Sequence, residues 1–264
     1  MTTPVTTPET QASTALKVPR VIAVASGKGG VGKTWFSITL SHALTRLGKR
    51  VLLFDADLGL ANADIQLGLM PEKDLSTAVT GNLPLEKVIT HYQTGGFDVI
   101  AGRSGSGQLA SLPASRLSEI RVKLMELAAK YDHVIIDLGA GVERSVRALA
   151  VDADAFLIVS TDEPTSLTDA YTFIKVSLSE KPNTDMRLVV NMAHSKLDGE
   201  KTYATLLKAC KGFLKFEPKL AGIIRRDRKV SESIRHQTPL LTRHPNTEAA
   251  VDVSSIARLL IGEQ

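Results

Sequence analysis

Ten residues near the start of the chain, SGKGGVGKTW at 26–35, have the types and spacing that phosphate chemistry requires. Gly27, four residues, then Gly32, Lys33 and Thr34 satisfy the pattern G-x-x-x-x-G-K-[ST]. With Gly27, Gly29, Gly30 and Gly32 around Val31, successive backbone N–H groups can close on phosphate oxygens. A helix opening around Thr34 and Trp35 would add the partial positive charge of its N-terminus. Lys33 is then placed to reach the β- and γ-phosphates, and the Thr34 hydroxyl to take a Mg²⁺ position. A chain of this length and average composition matches the pattern by chance roughly one time in a hundred. The loop predicts nucleotide binding.

The same stretch carries a second cation, Lys28. Where the amides of a loop face inward toward phosphate, its side chains tend to point outward. Lys28 is therefore poorly placed to grip the nucleotide that Lys33 holds. The residues leave two readings open. One is a lysine in solvent. The other is a cation supplied in trans to a facing copy's nucleotide across a two-fold dimer, as an arginine finger is.

Three carboxylates accompany the loop. Asp55 and Asp57 close the run RVLLFDAD two residues apart, so they share a face of an extended strand. Acids beside a triphosphate hold Mg²⁺ through water or orient the attacking water. Asp137 follows the apolar triplet at 134–136, a place from which an acid binds Mg²⁺ through water. Any one of these reads equally well as a helix cap or turn residue. Three beside a phosphate loop are not explained jointly that way.

These residues need a scaffold that brings them together. Short β-branched runs recur at 21–26, 50–57, 97–102, 133–139, 155–161, 186–192 and 219–224. Between them lie helical periods, one with Phe36, Leu40, Ala43, Leu44 and Leu47, another with Leu117, Ile120, Leu124, Leu127 and Tyr131. Apolar strands alternating with amphipathic helices predict an α/β fold, an open and mainly parallel sheet with helices on both faces. Ligands of such sheets sit at the carboxyl ends of the strands, where 27–34, 55–57, 137–141 and Asn191 all fall. Trp35, the sole tryptophan, is expected to pack under the first turn of its helix and to report optically on nucleotide.

Residues 1–19 are rich in Thr, Pro and Ser and are expected to form a disordered tail, with one domain over 20–264. The single Cys210 excludes an intramolecular disulfide or a cysteine-held cluster and fits a reducing compartment. No apolar run approaches the ~18 residues of a membrane span, and the first residues lack the pattern of a secretory signal. A cytoplasmic location is the expectation. The net charge of +4 permits contact with anionic partners but is commonly just a solvated surface. The densest basic run, RRDRK at 225–229, is a nucleic-acid candidate or a solvated face. The glycine- and serine-rich 101–110 is a linker or a cover for the site.

KGGVGKT at 28–34 resembles the deviant phosphate-loop signature of the MinD/ParA class of P-loop ATPases. The likeness runs from residue 20 to about 260. DADLGLANADIQLGL (55–69), VIIDLGAGV (134–142) and above all STDEPTSLTDAYTFIK (160–175) are similar to its flagellar-number regulator branch. The resemblance implies a three-layer P-loop NTPase fold, hydrolysis of ATP to ADP and phosphate with Mg²⁺, and a homodimer when ATP is bound. It gives Lys28 the trans role, Asp57 the water-positioning role and Asp55 a place beside the metal. It makes 139–141 a sensor of the γ-phosphate. It places Asn191 against adenine, although a turn residue is the rival reading, and adds base contacts from Arg225 and Asp227. Relatives more often carry a proline near 225, so this chain departs there.

For partners the resemblance implies an FlhF-type GTPase and flagellar basal-body or transcriptional regulators. Peripheral contact at the inner membrane or a cell pole is also implied. The stretch 163–175 is associated with partner contacts, with helix capping by Thr165 or Ser166 as an equal rival. The N-terminal activating motif of the branch is only echoed, in Gln11-Ala12 and Leu16-Lys17 without its acid. The final segment 251–264 carries a single arginine and suits core packing of Val253, Ile256, Leu259 and Leu260 better than a membrane surface. Alternatives to a flagellar role are a DNA-segregation ATPase and the positioning of another polar machine. An electron-transfer ATPase needs cysteine pairs that Cys210 cannot supply.

Overall fold

The computed structural model describes residues 18–102 and 112–263. The tail echo at 11–17 and most of the 101–110 stretch lie outside these residues. Eight strands form one sheet in the order β3-β4-β2-β5-β1-β6-β7-β8. They are β1 (Val21–Ser26), β2 (Val51–Ala56), β3 (Thr90–Tyr92), β4 (Phe97–Ile100), β5 (His133–Ala140), β6 (Ala155–Ser160), β7 (Asp185–Ala193) and β8 (Lys219–Arg225). All neighbours pair in parallel except the edge strand β3, which runs antiparallel to β4. The seven parallel strands follow the apolar runs of the sequence. Strand β3, THY, was not visible there because three residues leave no periodicity to read.

Every residue of β1 and of β2 is buried, as strands covered on both faces must be. Successive side chains go to opposite layers. Val21, Ala23, Leu52, Phe54, Val134 and Ile136 join the core under α4 (Ala114–Ala128) and α6 (Pro164–Glu180). Ile22, Val24, Val51, Leu53 and Ile135 join the core under α1 (Lys33–Arg46) and the helix Glu248–Leu260. This is the three-layer α/β architecture expected. In the last helix Val253, Ile256 and Leu260 are buried while Leu259 is exposed, so that segment is chiefly core.

The parallel register sets the site. Asp55 lies opposite Asp137 on adjacent strands, and Val24 of β1 pairs with Asp137 from the other side. The ends of β1, β2 and β5 thereby place the phosphate loop and two acids at one rim of the sheet.

Helix α1 also buries His42, whose Nδ1 has no partner among the described residues. Burial, and then Arg46, hold its pKa down at about 4. A depressed histidine contributes its full stability above the unfolded value near 6.5 and loses it as pH falls toward 4. Wild type should therefore lose about 3 kcal/mol more than His42→Leu between pH 7 and pH 4. Urea unfolding of both proteins across that range is the check.

Candidate functional site

The phosphate loop spans β1 and α1, and its shape is fixed by contacts on three sides. Gly32 is the N-cap of α1 with φ 85°, a left-handed conformation that suits glycine. A Cβ there would also stand 2.5 Å from Asn191 Nδ2. At Gly27 a Cβ would collide with the Asp169 backbone, so the loop lies directly on α6. The Ser26 hydroxyl donates to the Lys28 carbonyl at 2.9 Å, and Gly141 N–H donates to Ser26 O at 3.0 Å. The latter hooks the end of β5 onto the loop. Gly29 comes near Ala140, Gly30 takes φ 80°, and Val31 is buried.

The two lysines part company. Lys33 is 8 % exposed and pairs with Asp137 Oδ1 at 2.9 Å. Lys28 is 39 % exposed and donates to Glu163 Oε2 at 2.6 Å and to Thr165 Oγ1 at 2.9 Å. The Lys28 hydrogen bond holds the Glu163 carboxyl below its ordinary range, and Arg226 adds to the effect. Glu163 and Thr165 belong to the stretch 163–175 that the resemblance associates with partner contacts. The structure ties that stretch to the phosphate loop. The helix there begins at Pro164 with Glu163 at its N-cap, so neither Thr165 nor Ser166 is the cap. Proline at the first position explains this, since its missing N–H needs no partner. The Ser166 hydroxyl instead accepts from Thr161 N–H at 3.0 Å.

The acids divide as well. Asp55 is buried with backbone donors on both oxygens: Oδ1 accepts from Asp57 N–H at 3.1 Å, and Oδ2 from Asn62 and Ala63 N–H at 3.2 and 3.1 Å. Burial, and next the Asp137 carboxylate, push Asp55 above the usual carboxylate range. Asp137 accepts from Lys33 and from the Ser37 hydroxyl on Oδ1, each at 2.9 Å, and its buried Oδ2 has no partner among the described residues. Asp57 is half-buried over Gly139, where a Cβ would stand 3.4 Å from its Oδ1, and it accepts from Leu60 N–H at 3.0 Å. Thr34 is buried at the second position of α1, and the Trp35 ring sits in the core beneath it.

Asn191 lies against the loop, donating to Val31 O at 2.7 Å while its own Oδ1 accepts from Met192 N–H at 2.9 Å. Arg225 and Asp227 are engaged elsewhere. Arg225 pairs with Asp252 and Glu248, and Asp227 accepts from Lys229 N–H at the start of the helix Arg228–Arg235. Lys229 pairs with Glu232, so within the basic run 225–229 two of the four cations are neutralised. Sequence reasoning missed Ser37, Glu163 and the amides of Asn62 and Ala63. Ser37 was within reach, because four residues after Lys33 on a helix is the same face.

The arrangement fits a Mg²⁺-nucleotide. Left-handed glycines shape an amide-lined loop at a helix start, and Asp137 on the adjoining strand has a buried carboxylate oxygen without a partner among the described residues. No group of three or more acid, His or Cys ligands occurs among the described residues. A metal there would take much of its coordination from phosphate and water.

Loop, acids and strand order define a P-loop nucleotide-binding domain of the parallel-sheet kind. The chain belongs to the CobQ/CobB/MinD/ParA nucleotide binding domain family, whose model matches residues 22–240, and it is an ATPase of that family. It is 35 % identical to the antiactivator FleN of Pseudomonas aeruginosa over 239 residues, 90 % of this chain and 85 % of that one. It is 31 % identical to the flagellum site-determining protein YlxH of Helicobacter pylori over 245 residues, 92 % of this chain and 82 % of that one. Its fold matches the septum site-determining protein MinD of Pyrococcus horikoshii, solved with Mg-ADP. That match has TM-score 0.77 and 22 % identity and covers 91 % of this chain and 95 % of that one.

Proposed function

We propose that this ATPase is a slow dimerisation switch that sets the number or placement of flagella. ATP with Mg²⁺ closes two copies face to face, the closed dimer binds its targets, and hydrolysis reopens it. Lys33 grips the phosphates, Thr34 and Asp137 hold Mg²⁺ with Asp55 beside them, Asp57 orients the attacking water, and Asn191 borders the base. The observation that carries this reading is the division of the lysines. One is buried in its own site, and the other is extended to the exposed start of α6, from which it can be passed to a facing copy.

Flagellar regulation is supported by the likeness to FleN and YlxH. An FlhF-type GTPase and basal-body or transcriptional regulators are the proposed partners. In support, Pro164, Leu167, Tyr171, Leu206 and Phe213 line an apolar groove of ≈ 560 Å³ that starts beside Glu163. Among the described residues no helix is long and apolar enough to cross a membrane; the proposed contact with the inner membrane or a pole is peripheral.

The test is ATP titration of Asp57→Ala with light scattering. The expected result is a monomer with ADP and a doubling of mass with ATP and Mg²⁺. A variant that remains monomeric with saturating ATP overturns the switch.

A further inference from the structure

The hydroxyl of Ser37 stands between two acceptors, Asp137 Oδ1 at 2.9 Å and the Lys33 carbonyl at 3.1 Å. It has one proton to give, and a carboxylate is the stronger acceptor. Ser37 is fully buried, so this hydroxyl has no water to turn to. Lys33 Nζ shares the same Oδ1 at 2.9 Å. Both donors converge on one oxygen, which leaves Oδ2 of Asp137 buried and without a partner among the described residues. Asp55, its neighbour across the strands, has backbone N–H donors on both oxygens. Of the two facing acids, Asp137 is the one with an oxygen that has no hydrogen-bond donor among the described residues.

We propose that Ser37 is a positioning residue for the metal: it fixes the carboxylate plane of Asp137 so that Oδ2 faces Mg²⁺ or its water. The inference rests on the Mg²⁺-nucleotide reading above. Its force comes from what Lys33 must do. Once that lysine turns to phosphate, Oδ1 keeps the Ser37 hydroxyl as its side-chain donor, and without it the carboxylate is free to rotate. A buried anion that can rotate loses the alignment that a water-mediated metal contact needs.

Calorimetry separates this from a packing role. Mg²⁺ is titrated into protein saturated with ADP, and ADP is titrated separately in EDTA. In Ser37→Ala the Mg²⁺ affinity should fall ~10–100-fold, the usual loss for a group that orients a metal-holding side chain. ADP affinity in EDTA should stay within about twofold of wild type, because Ser37 acts through the metal. Ser37→Cys, close in size but a weak donor, should fall between the two, and it decides the matter if the alanine variant does not fold. Mg²⁺ affinity within about threefold of wild type, or equal loss of ADP affinity with and without Mg²⁺, overturns the role of Ser37. Failure of wild type itself to bind ADP with Mg²⁺ overturns the nucleotide reading instead.

Discussion

Lys28→Ala should lose on the order of a thousandfold in ATP turnover while binding nucleotide nearly as wild type does. The magnitude is that of a cation delivered to phosphoryl transfer from a partner. Its sparing of affinity follows from the structure. Lys28 makes its side-chain contacts to Glu163 and Thr165, whereas Lys33 occupies the buried site beside Asp137. In the proposed dimer each active site combines its own Asp57 with the other copy's Lys28. Mixing two inactive variants, Lys28→Ala and Asp57→Ala, should then restore turnover. Half of the dimers would be mixed, each with one intact site, giving roughly a quarter of wild-type activity. A cation acting within its own chain gives no recovery on mixing. Steady-state phosphate release on the two variants, separate and combined, therefore distinguishes trans from cis action.

The salt bridge to Glu163 also shows where sequence reading reached and where it stopped. The strands were legible because burial on both faces demands continuous apolar runs, and VIAVAS and VII before Asp137 are such runs. The loop was legible because its glycines and Lys33 are consecutive, so local spacing carries the whole chemistry. The neighbours of Lys28 and Asp137 were not, because they are set by packing between segments 100 or more residues apart. Nothing in EPTSLTDAY announces that Glu163 will meet a lysine 135 positions earlier. Asp55 and Asp57 illustrate the same limit at short range. Spacing put both on one face, but only the fold reveals that Asp55 is consumed by three amides while Asp57 keeps an outward position. Arg225 and Asp227 follow the same rule: their partners, Asp252 and Glu248 for the one and the Lys229 N–H for the other, are set by packing and capping that spacing does not announce.

Lys33→Met should destabilise the nucleotide-free protein by about 3–5 kcal/mol, the usual cost of breaking a buried ion pair from one side. The partner left behind is Asp137, 1 % exposed and opposite Asp55 across adjacent strands. Two carboxylates at matched positions without their cation cannot both remain charged at small cost. Asp137→Asn should cost less, because Lys33 then keeps Asp55 as a counter-charge; its attraction already opposes the rise in the Asp55 pKa. The double variant should be more stable than Lys33→Met alone, a non-additivity expected of groups in contact. The pH dependence has a definite sign. A carboxylate raised in the folded state binds more protons there than when unfolded, so its native state gains as pH falls. Removing Lys33 raises Asp55 further. The deficit of Lys33→Met should therefore shrink from pH 8 to pH 5.5, while that of the double variant changes little. Urea midpoints for the three variants at both pH values measure this. A deficit for Lys33→Met independent of pH would mean that Asp55 and Asp137 do not share a field, and that the acids of this rim act separately on whatever binds there.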